Sequence, residues 1–167
     1  MMRKPSRIIV LAALSIGTAL PAGAQERKAP AVTPKLVSVA ETKLLMEGLT
    51  MPNYRGLAER LDKKPANVEG WTVVRGQALL IAESGNLLML RPPKNQQGQD
   101  AWMRHATELR ETGTDLARQA ANRDYDKTRT ALGTLTNTCN RCHKTFQVPV
   151  RIGQPDEDRK TEGRAEE

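Results

Sequence analysis

The sequence predicts an all-α fold, an antiparallel four-helix bundle, and three observations point to it. Between about residues 35 and 152 the apolar side chains recur at intervals of three and four, the spacing of one helix face. No strand-type alternation competes with that period. Prolines and polar runs divide the block into segments of bundle-helix length joined by short connections, which favours antiparallel neighbours. At 167 residues the chain is one modest domain.

The first helix is expected to start after Thr33-Pro34 and run to about Gly48, with Val37, Ala40, Leu44, Leu45, Met46 and Leu49 on its buried side. Met51-Pro52-Asn53 is expected to interrupt it, and Tyr54 to Leu61 forms a further short helix. From about Pro65 to Leu90, Trp71, Val74, Ala78, Ile81, Gly85 and Leu88 follow one another at 3, 4, 3, 4, 3, a bundle seam. Arg91-Pro92-Pro93 stops this helix, and Lys94 to Gln99 reads as a polar loop. The next seam is Trp102, Ala106, Leu109, Gly113, Leu116 and Ala120, ending around Asn122. The last helix opens at Asp124 or Asp126, either of which can cap free backbone amides. It carries Tyr125, Thr128, Leu132, Leu135, Cys139, Cys142 and Phe146 on its seam, and Pro149 is expected to close it.

The two ends of the chain differ from this block. Residues 1–24 have the pattern of a secretory signal: basic Arg3, Lys4 and Arg7, a largely apolar stretch from Ile8 to Leu20, and Ala22-Gly23-Ala24 before Gln25. A retained membrane anchor is the alternative, but about 13 apolar positions fall short of the roughly 20 a spanning helix needs. Residues 25–34 read as a flexible leader and 153–167 as a disordered, charged tail with no large apolar residue to bury. Stable membrane insertion after signal removal is not expected. The chain's net charge of +7 would ordinarily raise nucleic-acid binding. Removing residues 1–24 takes away three of those charges and leaves +4, and export makes a nucleic-acid partner improbable. The expected location is therefore periplasmic.

Only two cysteines and two histidines occur in the chain, and aromatic residues make up 3% of it. Catalysis by a histidine–carboxylate cluster is thus poorly supplied, and no enzyme activity is expected. The cysteines form Cys139-Asn140-Arg141-Cys142-His143, the C-x-x-C-H signature of covalent haem attachment, placed on the last helix. A random chain contains this pattern on the order of once in a thousand. On a helix, residues i, i+3 and i+4 share a face. Two thiols can then reach the two porphyrin vinyl groups while the adjacent imidazole binds iron. Three alternatives fit less well. A redox dithiol belongs near a strand–helix unit. A structural zinc needs four ligands, of which only His105 could join as a non-carboxylate fourth. A disulfide across one helical turn is strained and leaves His143 unexplained. One covalent haem c with its iron is the expected cofactor, and its flat apolar surface also makes up for the shortage of aromatics. Gly85 or Gly113 can mark a close approach of a helix to it, or simply of two helices to each other.

A signal peptide, a four-helix pattern and a C-x-x-C-H near the C-terminus, followed by Lys144-Thr145-Phe146, resemble the cytochrome c prime family and its low-spin, methionine-ligated relatives. The resemblance covers about residues 35–148. It implies that Cys139 and Cys142 hold the haem by thioethers and that His143 is the proximal iron ligand. In the low-spin branch a first-helix Met is the sixth ligand, in a context similar to Thr42-Lys43-Leu44-Leu45-Met46-Glu47-Gly48, so Met46 is the candidate distal ligand. In the high-spin branch an apolar first-helix residue blocks that face, a role open to Leu45 or Leu49. Met51, Met89, Met103 and His105 are the remaining candidates for the sixth position, although His105 reads first as a boundary histidine. One departure is Gln147, where the family often has Arg or Lys four residues after the haem histidine.

Three functions fit signal and motif. The first is a periplasmic carrier of single electrons, the second a five-coordinate protein binding NO or CO, and the third a docking subunit with haem as a structural staple. Arg141 and Lys144 flank the attachment site, either steering an acidic redox partner protein or merely forming the solvated face of the last helix. A helix-packed homodimer, found in many cytochromes c prime, stays open.

Overall fold

The seams drawn from the sequence become the contacts between helices. The structure, a computed structural model, describes residues 35–153. The expected signal at 1–24, the leader at 25–34 and the tail from 154 onward lie outside the described residues. All regular structure among the described residues is helical: α1 (Thr42–Leu45), a π-helical turn (Met46–Thr50), α2 (Met51–Arg60), α3 (Val68–Met89), α4 (Gln96–Ala121) and α5 (Tyr125–Thr145). The first three follow without a break, so four helical arms result. None of these helices is long and apolar enough to cross a membrane.

The α3 seam Trp71, Val74, Ala78, Ile81, Gly85 and Leu88 is buried throughout, and so is the α4 seam from Ala106 to Ala120. These two helices form the most extensive contact, while α4 also packs on α5 and α2 on α3. Gly85 and Gly113 are what lets α3 and α4 approach. A Cβ on Gly85 would lie 2.7 Å from the Ala106 carbonyl oxygen, and one on Gly113 2.9 Å from the Ala82 amide nitrogen. Both glycines therefore serve helix–helix approach.

The first arm departs from expectation in two ways. It starts at Thr42 instead of directly after Pro34, because Leu36, Val37 and Val39 are exposed and a helix there would have nothing to bury. Ala40 and Leu44 are likewise exposed, which leaves Leu45 as the buried residue of α1, with Met46 and Leu49 half-buried. Arg91 anchors the preceding segment by donating to the Ala40 carbonyl at 2.9 Å. Secondly, Met51-Pro52-Asn53 does not interrupt the helix. In an α-helix the Pro52 ring would meet the carbonyl four residues back. The π turn widens the spiral just before it: the Met51 amide bonds to the Met46 carbonyl, and Asn53 Nδ2 donates to the Leu49 carbonyl at 2.7 Å.

The remaining ends are local. Asn67, Asn95 and Asp124 cap α3, α4 and α5 by accepting from the amides of Gly70, Gly98 and Lys127. The polar stretch from Lys94 is accordingly helical from Gln96. Tyr125 Oη and Arg129 Nη1, from α5, donate to the Leu61 carbonyl at the end of α2, each at 3.0 Å. Helix α5 ends at Thr145, four residues before Pro149. Its stop is Gln147 in the left-handed region (φ 54°), with Val148 N–H donating to the His143 carbonyl at 2.8 Å and Gln147 N–H to Lys144 at 3.3 Å. Those are the two bonds of a Schellman cap, and a proline is not needed for them.

Candidate cofactor site

The π turn faces the C-terminal half of α5 across a small apolar recess of about 60 Å³. Its walls bring together Met46, Thr50, Met51 and Tyr54 from the first arm with Thr138, Cys139, Cys142 and His143 from α5. Leu88 of α3, His105 and Leu109 of α4, and Ile152 complete them. Cys139, Cys142 and His143 reach one wall because they occupy positions i, i+3 and i+4 of α5. They are half-buried, at the lining of the recess and not deep in the seam.

Both cysteines are free thiols. Burial pushes the Cys139 thiol from 9.0 up to about 12, with its neighbour Cys142 adding to the shift, and the Cys142 thiol up to about 11, with Glu108 adding. The direction is opposite to that of the attacking thiol in a redox dithiol. Among the described residues no three His, Cys, Asp or Glu side chains converge as a metal cage.

His143 has a defined tautomer. Its Nδ1 lies 2.8 Å from the Val150 carbonyl oxygen, which can only accept, so Nδ1 carries the hydrogen and the lone pair of the neutral ring falls on Nε2. That is the state in which an imidazole binds a metal, and a backbone carbonyl behind the ring is a usual partner of a metal-binding histidine. His105 is engaged differently. The Thr145 hydroxyl donates to the Arg141 carbonyl, so His105 Nε2 donates to Thr145 Oγ1 at 2.9 Å. Its Nδ1 lies 3.5 Å from Glu108 Oε2 without a hydrogen bond.

Of the other expected sixth-position residues, Met46 and Met51 line the recess, while Met89 and Met103 do not. Leu45 and Leu49, the residues expected to block the distal face, lie outside its lining as well. Arg141 is exposed but turned to Glu108 (3.3 Å) and Thr138 (3.1 Å), and Lys144 is exposed.

Three contributors escape a sequence reading. Thr50 is 7% exposed and its Oγ1 has no partner. Buried Thr128, Thr136 and Thr138 instead donate to the carbonyl four residues back. A polar residue interrupting an apolar stripe one turn after Met46 was the available signal. Asn140 and the Val150 carbonyl had none. Apolar side chains, two thiols on one helix face, an imidazole and an orphaned hydroxyl thus meet at one recess. Comparison with protein-family models, curated proteins and solved structures finds no match.

Proposed function

We propose that the chain is an exported, periplasmic monohaem c-type cytochrome that transfers single electrons, with four arms running antiparallel. The observation that carries this reading is the meeting of Met46 with Cys139, Cys142 and His143, far apart in sequence, on one apolar recess. Cys139 and Cys142 would hold the haem covalently, and His143 Nε2 and Met46 would be the residues that bind its iron. When bound, the haem iron supplies the one-electron couple, and a Met/His ligand pair raises its potential. The chain's own residues do the rest. Leu88, Leu109 and Ile152 exclude water, which stabilises the less charged, reduced state. The Val150 carbonyl holds the His143 ring, and the close α3–α4 contact keeps the frame rigid between redox states. The exposed Lys144 near the motif offers an acidic redox partner a positive surface, an attraction that weakens with added salt.

A second reading, a five-coordinate protein that binds NO or CO, is favoured by Thr50. Its partnerless hydroxyl in the recess is a donor available to a diatomic ligand. The absorption spectrum of the reduced protein with and without carbon monoxide separates the two. Sharp six-coordinate bands unchanged by the gas are expected for the carrier. A high-spin Soret band that shifts on adding the gas would overturn it.

A further inference from the structure

The segment after α5 folds back on the helix it leaves. The Schellman cap at Gln147 reverses the chain, and residues 150–153 then run alongside the motif. Asn140, one of the two residues between the cysteines, pairs with both backbone groups of Ile152: its Nδ2 donates to the Ile152 carbonyl and its Oδ1 accepts from the Ile152 amide, each at 2.8 Å. A side-chain amide used in this way does the work of a paired peptide unit. Ile152 itself is 7% exposed and lines the recess. One residue further, the Gly153 carbonyl accepts from Tyr54 Oη at 2.8 Å, which ties the strap to the first arm. The result is that the Val150 carbonyl, otherwise free to move with an exposed loop, is fixed 2.8 Å from His143 Nδ1.

We propose that residues 146–153 form a clamp behind the iron-binding histidine, with Asn140 as the positioning residue that sets its orientation and donor strength. This rests on the haem ligation proposed above for His143 and deepens it. Attachment through C-x-x-C-H asks nothing of the residue at position 140, yet here that residue holds the acceptor for the ligand's second nitrogen. A hydrogen bond donated from Nδ1 to a carbonyl makes the ring more basic, and a more basic ligand favours the oxidised iron. The clamp therefore lowers the reduction potential against the upward pull of Met46.

The test uses the haem-loaded full chain, Asn140→Ala and Tyr54→Phe, with haem content measured as the pyridine haemochrome. Two readouts follow: hydrogen exchange at His143 Nδ1 by NMR, and the potential by redox titration. In Asn140→Ala, carrying haem as the parent does, exchange at Nδ1 quickens about tenfold, the loss of one ordinary hydrogen bond, and the potential rises. Tyr54→Phe, which removes the bond to the Gly153 carbonyl together with the 2.7 Å contact to Thr136 Oγ1 but leaves Asn140 and Ile152 paired, shifts both in the same direction by less. Exchange and potential unchanged in a haem-loaded Asn140→Ala would overturn the clamp while leaving the cytochrome reading intact. Should Asn140→Ala fail to take up haem, unchanged values in Tyr54→Phe overturn the clamp instead. A parent protein that binds no haem overturns the underlying reading, a result distinct from either.

Discussion

A buried hydroxyl without a partner costs stability, and Thr50 carries one on the wall it shares with Met46. Thr50→Val keeps the shape and removes that cost. The haem-free variant should be more stable by about 1 kcal/mol in chemical denaturation, and a loss of stability would mean that the hydroxyl is satisfied. Met46→Ala tests the neighbouring sulfur. If Met46 is the sixth ligand, the oxidised spectrum turns high-spin and the potential falls; an unmoved spectrum excludes it. Gln147 is a third single-residue case, an L-residue held at φ 54° where glycine is at ease. Gln147→Gly should stabilise the protein by about 1 kcal/mol, visible as a higher melting temperature, and by completing the same cap it leaves the strap in place. None of this strain was legible beforehand, since a left-handed cap depends on which carbonyls the last turn leaves open. Cys139, Cys142 and His143 were legible because their chemistry requires fixed spacing, whereas Asn140 and a backbone carbonyl have no such signature.

Helices α3 and α4 were the most legible elements. Every seam position from Trp71 to Leu88 and from Ala106 to Ala120 is buried, because a helix against a helix repeats its contact every three or four residues. What the period left undecided was the purpose of the glycines in it. Gly85→Ala gains a little helix propensity but drives a Cβ into the α4 backbone, which cannot move as a side-chain tip would. Overpacking should win by about 1–3 kcal/mol, and an unchanged denaturation midpoint would contradict the contact. The first arm was the least legible, because its period passes through Pro52 and only a π turn lets the helix do the same. At the start of α5, the Lys127 side chain and then its amide hold the Asp124 carboxyl below its ordinary 3.8. A depressed folded-state value adds stability above the unfolded value and loses it as pH falls through the folded one. The stability gap between the parent and Asp124→Asn should thus be widest near neutrality and close in acid. A gap independent of pH would show that the charge contributes nothing.

At the scale of the molecule, the all-helical fold was legible from period and punctuation alone, and the recess was not. Its existence depends on where the first arm turns toward α5, which the long-range bonds of Tyr54 to Gly153 and of Tyr125 to Leu61 fix. A core built mainly of Leu, Ala, Val and Ile, with few aromatics, leaves an apolar recess bordered by two thiols and an imidazole. A covalent haem would cover that surface and make the bundle's stability depend on cofactor loading. The most direct measurement is therefore the intact mass of the chain after acidic acetone extraction, beside Cys139→Ala/Cys142→Ala. We predict that the parent keeps the mass of one haem and has no thiol open to alkylation after unfolding, while the double variant loses the haem to the solvent. A parent that emerges at the mass of the bare polypeptide with two alkylatable thiols would contradict it.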